Sequence, residues 1–424
     1  MALKIANYGV MDRQQSPREA WLCFAALFIL ATASAFNLFK ASACLTFIGA
    51  DLGIGESDLG LIMTSYTIAA LILAYPGMAI MRILGVKFTS IATAILMLIG
   101  TIISTFSTDA VAFLFGRIVE GCAYGFLMVI GPNIMVKLFP PKKQGLVMGA
   151  WSLWIPVGVI TSFFLAPLIF DAFGWRTIWY VSIAFEIIAV IAGFLFIKMP
   201  KINENEMVEG DTTKKRSYGK SLIIGGIALN VAFCIWVYIY VVNINGFYPT
   251  FLQQAKDLSV FDSSMMPNII AILTIVTSLA FGVLADKLAA RKWFLAGAFL
   301  LTAVLMFFFA FSPGTDMTGP WVFCLLMALC CGCVPMGTRA LIPLLTPEPK
   351  MTEWMLTTMA FGQSVASLLS VLASFAIFGS GLGWTGSSQF ILAPLALLAA
   401  IIIIVFVKSD RQILQFRQSE QSGK

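Results

Sequence analysis

Twelve apolar runs follow one another along the chain, at roughly 21–49, 58–80, 88–107, 111–137, 145–170, 177–198, 221–245, 266–287, 293–312, 320–345, 354–379 and 388–408. Each is long enough to cross a ~30 Å hydrocarbon core as a helix rising 1.5 Å per residue. With 59% hydrophobic and only 11% charged residues and a mean hydropathy of +0.92, the chain cannot make a soluble globule, whose charged fraction is nearer about 25%. An all-α membrane protein is predicted.

Twelve spans put both ends on one side of the bilayer. Placing them in the cytoplasm assigns 22 of the 27 Lys and Arg to that side, a strong positive-inside bias. Arg176 and Lys256 fall outside or at the interface, while Lys40, Arg117 and Arg339 are intramembrane. The net charge of +6 therefore reports topology rather than nucleic-acid binding. The first run is too long for the core of a signal peptide and lacks a small-residue cleavage site. These features predict a multi-pass protein of a bacterial inner membrane, with cytoplasmic segments at 1–20, 200–220 and 409–424 and six-helix bundles at 21–199 and 221–408.

The eight cysteines lie inside apolar spans, where small-residue packing explains them better than a metal site or a disulfide framework. The complete lack of histidine removes imidazole ligands, Ser-His nucleophiles and His relays at once. No enzyme, cofactor or metal is expected. Paired glycines such as Gly225-Gly226 and Gly53-Ile-Gly55 join no strand to a helix, so they are not phosphate loops.

The first span has a polar seam. Ser34, Asn37, Lys40 and Cys44, at steps of 3, 3 and 4, share one helical face. Lys40 lies eleven residues before Asp51, roughly 16 Å along a helix and so near mid-membrane, where an ammonium costs at least about 2.5 kcal/mol. It either faces a ligand, water or a protein partner, or it snorkels outward.

Landmarks recur between the halves: Gly77 with Gly282, Leu138-Phe-Pro-Pro141 with Leu344-Leu-Thr-Pro347, and Gly174-Trp175 with Gly383-Trp384. A parallel duplication is implied. Gly282-Val-Leu-Ala-Asp286-Lys287 followed by Arg291-Lys292 resembles the Gly-x-Leu-Ala-Asp-Arg-x-Gly-Arg-Lys signature of the major facilitator superfamily. Gly77 to Met81-Arg82, then Gly85 and Lys87, is the first-half counterpart. Arg117 with Gly121 resembles the family's fourth-helix Arg-x-x-x-Gly motif, and Gly174-Trp175-Arg176 its fifth-to-sixth turn. Asn37-Leu-Phe-Lys40 and Gly116-Arg-Ile-Val-Glu-Gly121 look like those of bacterial nitrate, cyanate and small-carboxylate permeases. The resemblance implies two pseudo-symmetric six-helix bundles, a cavity lined by the first, fourth, seventh and tenth helices, and a conformational latch at Gly77, Arg82, Gly282, Asp286 and Arg291. Met81 replaces the latch Asp in the first half, so that latch is expected to be the weaker. The fifth span's Gly149, Pro156 and Gly158 lack the full motif of drug/proton antiporters.

Four of the five mid-span charges, Lys40, Arg117, Glu120 and Arg339, fall on three of those cavity helices. Arg117 and Glu120 stand at i and i+3 and can pair, in which case Lys40 and Arg339 remain uncompensated and call for an anion. Lys40 is the favoured contact, because Arg339 lies only roughly 12 Å from a helix end. Asn37, Tyr124, Asn230, Tyr240 and Gln363 are further candidate substrate contacts, each equally readable as an interhelical hydrogen bond. Glu120 is the expected proton carrier, paired with Lys40 when no substrate is bound. Glu186 lies on a helix that the resemblance puts outside the cavity, and is expected to pack or sit neutral, with a proton role as the alternative. The expected function is secondary transport of a small organic anion, a carboxylate, by alternating access, as proton symporter or anion exchanger, in a monomer whose other partners are protons and the bilayer. The alternatives are a proton-coupled exporter of hydrophobic compounds and a membrane sensor with a transporter fold.

Overall fold

A computed structural model describes residues 17–73, 76–139, 147, 150–151, 153–197, 220–288, 290–346, 349–409 and 412–413. The terminal segments and the 200–220 linker fall almost wholly outside the described residues, as do the side chains of Arg82 and Asp286 and the surroundings of Gly282. Of the other latch positions, Gly77 is buried and Arg291 half-buried.

Among the described residues there are no strands, and twelve helices are long and apolar enough to cross a membrane. They are α1 (Arg18–Leu52), α2 (Glu56–Leu73), α3 (Val86–Phe106), α4 (Ala110–Met128), α5 (Trp154–Phe173) and α6 (Trp175–Phe196), then α7 (Leu222–Lys256), α8 (Val260–Ser278), α9 (Arg291–Phe308), α10 (Thr318–Ile342), α11 (Trp354–Gly379) and α12 (Gly383–Phe406). The expected spans are present. The largest difference is in α7, which continues to Lys256 rather than ending near 245. A π-helical stretch, Tyr238–Ile244, lets it pass the polar Asn243, whose amide donates to the Tyr238 carbonyl at 2.8 Å.

Packing repeats between the halves. In the first, α1 lies against α5 and α6, α3 against α4 and α6, and α2 against α4; adding six to every number gives the contacts of the second half. The two halves meet through α2 on α11 and α5 on α8, a pair related by the same rule. Outer faces are apolar, as lipid requires: Ile99 and Phe106 on α3, Ile188 and Phe194 on α6, Val304 and Phe308 on α9, and Ile401 and Val405 on α12 are all exposed.

One end of the molecule is sealed between the halves. Ser374 Oγ accepts from Gly60 N–H at 3.2 Å and donates to the Ser57 carbonyl at 2.8 Å, Ser370 Oγ donates to the Gly60 carbonyl at 3.0 Å, and Thr64 Oγ1 bonds to Ser370 Oγ. The two cations at this end clamp loops. Arg176 joins Asp51 at 2.9 Å and the Ser107 carbonyl at 2.8 Å, while Lys256 donates to the carbonyls of Ser312, Gly314 and Asp316 at 2.9, 2.6 and 2.9 Å.

Within the first half, α3 and α4 approach so closely that a Cβ at Gly100 would meet the backbone of Gly116 and Glu120. The next residue, Thr101, is thereby held against Glu120.

Candidate functional site

The polar seam of α1 coincides with a break in that helix. Regular α-helix ends at Phe39, Lys40 and Ala41 form a turn, and Ser42–Cys44 is 3-10 helix before the α-helix resumes at Leu45. Arg117 Nη1 from α4 donates to the Asn37 carbonyl at the break, at 2.8 Å. A backbone acceptor in lipid is costly to leave unpaired, so a charged donor at this point stabilises the interruption.

Four ionisable side chains converge here from three helices, each with no solvent exposure: Lys40, Arg117, Glu120 and Glu186. Lys40 Nζ uses its three donors on Glu120 Oε1 at 2.5 Å, Asn37 Oδ1 at 2.9 Å and Ser182 Oγ at 3.0 Å, and lies 4.4 Å from the Trp179 ring centroid. Arg117 Nη1 reaches Glu120 Oε2 at 2.7 Å, and the guanidinium stacks 4.5 Å over the Tyr66 ring. Tyr66 in turn donates to the Ser34 carbonyl at 2.7 Å. Glu186 Oε1 accepts from Asn37 Nδ2 at 2.5 Å, and Thr101 Oγ1 lies 2.6 Å from it. Thr101 Oγ1 is also 2.8 Å from Glu120 Oε1.

The Lys40–Glu120 pair expected for the site without substrate is present, and Glu120 binds Arg117 as well, so the alternative in which Glu120 cancels Arg117 alone and leaves Lys40 uncompensated does not hold. Nor does Glu186 stand apart, since α6 packs on both α1 and α3 and carries it into the same cluster. Sequence reasoning missed Thr101, Ser182 and Trp179 altogether. A signal existed: Trp179, Ser182 and Glu186 stand at i, i+3 and i+7 on one face of α6, the face turned to α1.

Of the remaining candidates, Tyr124 and Gln363 meet between the halves. Tyr124 on α4 accepts from Gln363 on α11 across the interface at 2.9 Å. Arg339 on α10 is an exposed residue whose guanidinium carbon lies 5.8 Å from the Phe233 ring on α7 and within electrostatic reach of Tyr124 in the other half. These two neighbours, one from each half, place its guanidinium at the interface between the halves. Among the described residues no carboxylate forms an ion pair with it. Tyr240 is half-buried and stacks on Trp236 at 5.5 Å. Asn230 instead ties α7 to α11, its amide donating to the Met355 carbonyl at 3.2 Å. Lys40 and Asn37 belong to the buried cluster, which touches this group through the Tyr66–Tyr124 ring contact at 5.9 Å.

The family model for the Major Facilitator Superfamily matches residues 24–374. The chain is 24% identical over 261 residues to the hexuronate transporter of Bacillus subtilis, covering 58% of this chain and 60% of that one. It is 21% identical over 249 residues to an uncharacterised transporter of the superfamily from Methanocaldococcus jannaschii, 56% of this chain and 61% of that one. It is also 23% identical over 160 residues to a glucose transporter of Staphylococcus epidermidis, 38% and 36%. These alignments span about a third to three fifths of the relatives' lengths. In fold it is similar to a D-xylose-proton symporter, with a TM-score of 0.74 at 15% identity over 92% of this chain and 98% of the other. A xylose transporter from E. coli in an inward-open conformation matches at a TM-score of 0.72 and 16% identity, over 94% and 99%. With its twelve helices, its repeated packing and a family match over residues 24–374, the chain is a multi-pass membrane protein that belongs to the Major Facilitator Superfamily.

Proposed function

We propose that this protein is a secondary transporter that carries a small organic anion, a carboxylate, by alternating access, with Arg339 as its anion contact. One observation carries the reading: Arg339 is an exposed guanidinium that lies at the interface between the halves without a carboxylate partner among the described residues. A cation kept there without an internal counter-ion favours a ligand that brings one, and guanidinium matches carboxylate in a two-pronged geometry. Tyr124, with Gln363 bonded to it, is the neighbouring polar contact for the rest of the substrate, and Tyr240 on α7 is a further one. The relative named for hexuronate, an anionic sugar acid, is compatible with this class. Lys40 is assigned to the internal cluster instead of to the substrate.

The charge bias of the loops supports cytoplasmic termini. In that orientation the sealed end, with Gly60 and Ser370, faces outward. The latch expected around Met81 and Asp286 keeps its place in the reading as the control of the opposite end.

The test is uptake into proteoliposomes across a panel of mono- and dicarboxylates that includes hexuronates, with neutral sugars for comparison. Arg339→Ala should weaken carboxylate uptake roughly tenfold to a hundredfold, as expected for loss of a charged hydrogen bond worth about 1.5–3 kcal/mol. Arg339→Lys should retain part of it. Uptake of sugars alone, or full activity in Arg339→Ala, would overturn the reading. The rival is an exporter of hydrophobic compounds, favoured by the Trp236–Tyr240 stack beside Phe233. It predicts efflux of apolar dyes that is indifferent to Arg339.

A further inference from the structure

A hydroxyl group has one hydrogen. Thr101 Oγ1 nevertheless lies 2.6 Å from Glu186 Oε1 and 2.8 Å from Glu120 Oε1, and an ionised carboxylate can only accept. Thr101 can donate to one of the two, so the other contact must be made with a proton that the carboxyl itself supplies. The surroundings decide which one. Glu120 is bonded by two cations, Lys40 at 2.5 Å and Arg117 at 2.7 Å, which hold it ionised. Glu186 forms no ion pair among the described residues, and its Oε2 is buried without a hydrogen-bond partner. Asn37 cannot supply compensation beyond one N–H. Its Oδ1 must face the Lys40 ammonium, which only donates, and this fixes its Nδ2 on Glu186.

We infer that Glu186 is the proton-binding residue of this protein, bridged through Thr101 to Glu120, which serves as the fixed counter-ion of Lys40 and Arg117. In the loaded state the chain runs one way: the Glu186 carboxyl donates to Thr101 Oγ1, and the Thr101 hydroxyl donates to Glu120 Oε1. On release, the O–H bond of Glu186 breaks and its proton passes to water. Thr101 can then serve only one of two like-charged carboxylates. A hydrogen-bonded bridge between α6, α3 and α4 becomes a repulsion, opposed by Lys40. Asn37 transmits the change to the break in α1, because its side chain holds Glu186 and its carbonyl holds Arg117.

The charged and titratable groups around Glu186 come from four helices. Lys40 comes from α1, Tyr66 from α2, Thr101 from α3 and Glu120 from α4, with Arg117 behind Glu120. The only ionisable side chain of α5, Asp171, lies in its last turn. That such a proton drives transport rests on the secondary-transporter reading, but its location does not, so the experiment needs no substrate.

Infrared spectra of the purified full-length chain in detergent should contain a carbonyl-stretch band of a hydrogen-bonded, protonated carboxyl group. Glu186→Gln should remove it, and Asp171→Asn should keep it. Thr101→Val takes away the acceptor and should shift the band, whereas Thr101→Ser should leave it in place. A band that survives Glu186→Gln, or that ignores Thr101→Val, overturns the assignment. If Glu186→Gln does not yield folded protein, the Thr101 pair decides alone. Failure to transport any carboxylate would refute the anion reading and leave this result standing.

Discussion

Glu120 and Arg339 are both charged residues within the membrane region, yet their surroundings give their removal opposite consequences. Glu120 is fully buried and shared by two cations. Glu120→Ala leaves Lys40 and Arg117 without their bonded anion, and breaking a buried ionic network typically costs about 3–5 kcal/mol. Arg339 is exposed and unpaired with a carboxylate, so Arg339→Ala should stay within about 0.5 kcal/mol of the parent. Thermal denaturation of both variants in detergent checks the contrast; equal losses would mean that the cluster is not a stability element. Spacing alone made Lys40, Arg117 and Glu120 legible as a charged group, since i and i+3 on α4 share a face. Depth along the helices suggested the Lys40–Glu120 pair, but what it could not give was the contact of Lys40 with Ser182 and Trp179 on α6. That depends on which helix lies beside the break in α1, and helix adjacency is a tertiary property. The place of Glu186 in the cluster depends on the same adjacency, although its stripe with Trp179 and Ser182 is present in the sequence.

Helices α3 and α4 illustrate how the elements set the site. Their backbones meet at Gly100, where a Cβ would collide with the Glu120 and Gly116 main chain, and neither backbone can yield locally. Gly297, within α9, has nothing within 4 Å of the same atom. The same substitution therefore changes sign. Gly297→Ala should stabilise by up to about 1 kcal/mol, the helix-propensity difference between the two residues. Gly100→Ala should destabilise by about 1–3 kcal/mol, as overpacking does, and should move Thr101 away from Glu120. Denaturation midpoints of the two variants, compared in one detergent, test this, and a stabilised Gly100→Ala would contradict the close approach. Helix number and order were readable because a lipid-crossing run has a minimum length. Ends were less so. The continuation of α7 to Lys256 crosses polar residues and Pro249 that read as a loop, and it is held by a π-helical stretch and by the carbonyl clamp on Lys256, neither of which leaves a periodic trace.

At the scale of the whole molecule, the duplication was visible as recurring landmarks, but the contact between halves was not. Nothing in the sequence says that Gly60 on α2 meets Ser370 on α11; the small residues at both positions are its only mark. That contact is the seam of the sealed end, where a Cβ at Gly60 would strike the Ser370 carbonyl and come within 2.6 Å of the Val371 Cα. Gly60→Trp cannot be accommodated there and should force the end open. The hydrogen bonds lost with it, made by Gly60, Ser57, Thr64, Ser370 and Ser374, contribute about 0.5–1.5 kcal/mol each. The four together contribute roughly 2–6 kcal/mol, against the ~5.5 kcal/mol that carries a two-state equilibrium from 99:1 to 1:99, so the shift should be large. Thr67 is a suitable reporter: it follows Gly60 by seven residues on the same face of α2, is buried, and among the described residues bonds only to the carbonyls of Met63 and Thr64 in its own helix. With Thr67→Cys in a background where half-buried Cys122 and Cys234 are replaced by Ser, a membrane-impermeant maleimide added outside intact cells should react slowly in the parent and rapidly once Gly60→Trp is added. Rapid labelling from outside would also fix the orientation of the chain. Equal rates in a folded, membrane-inserted Gly60→Trp protein would show that the seam does not control access.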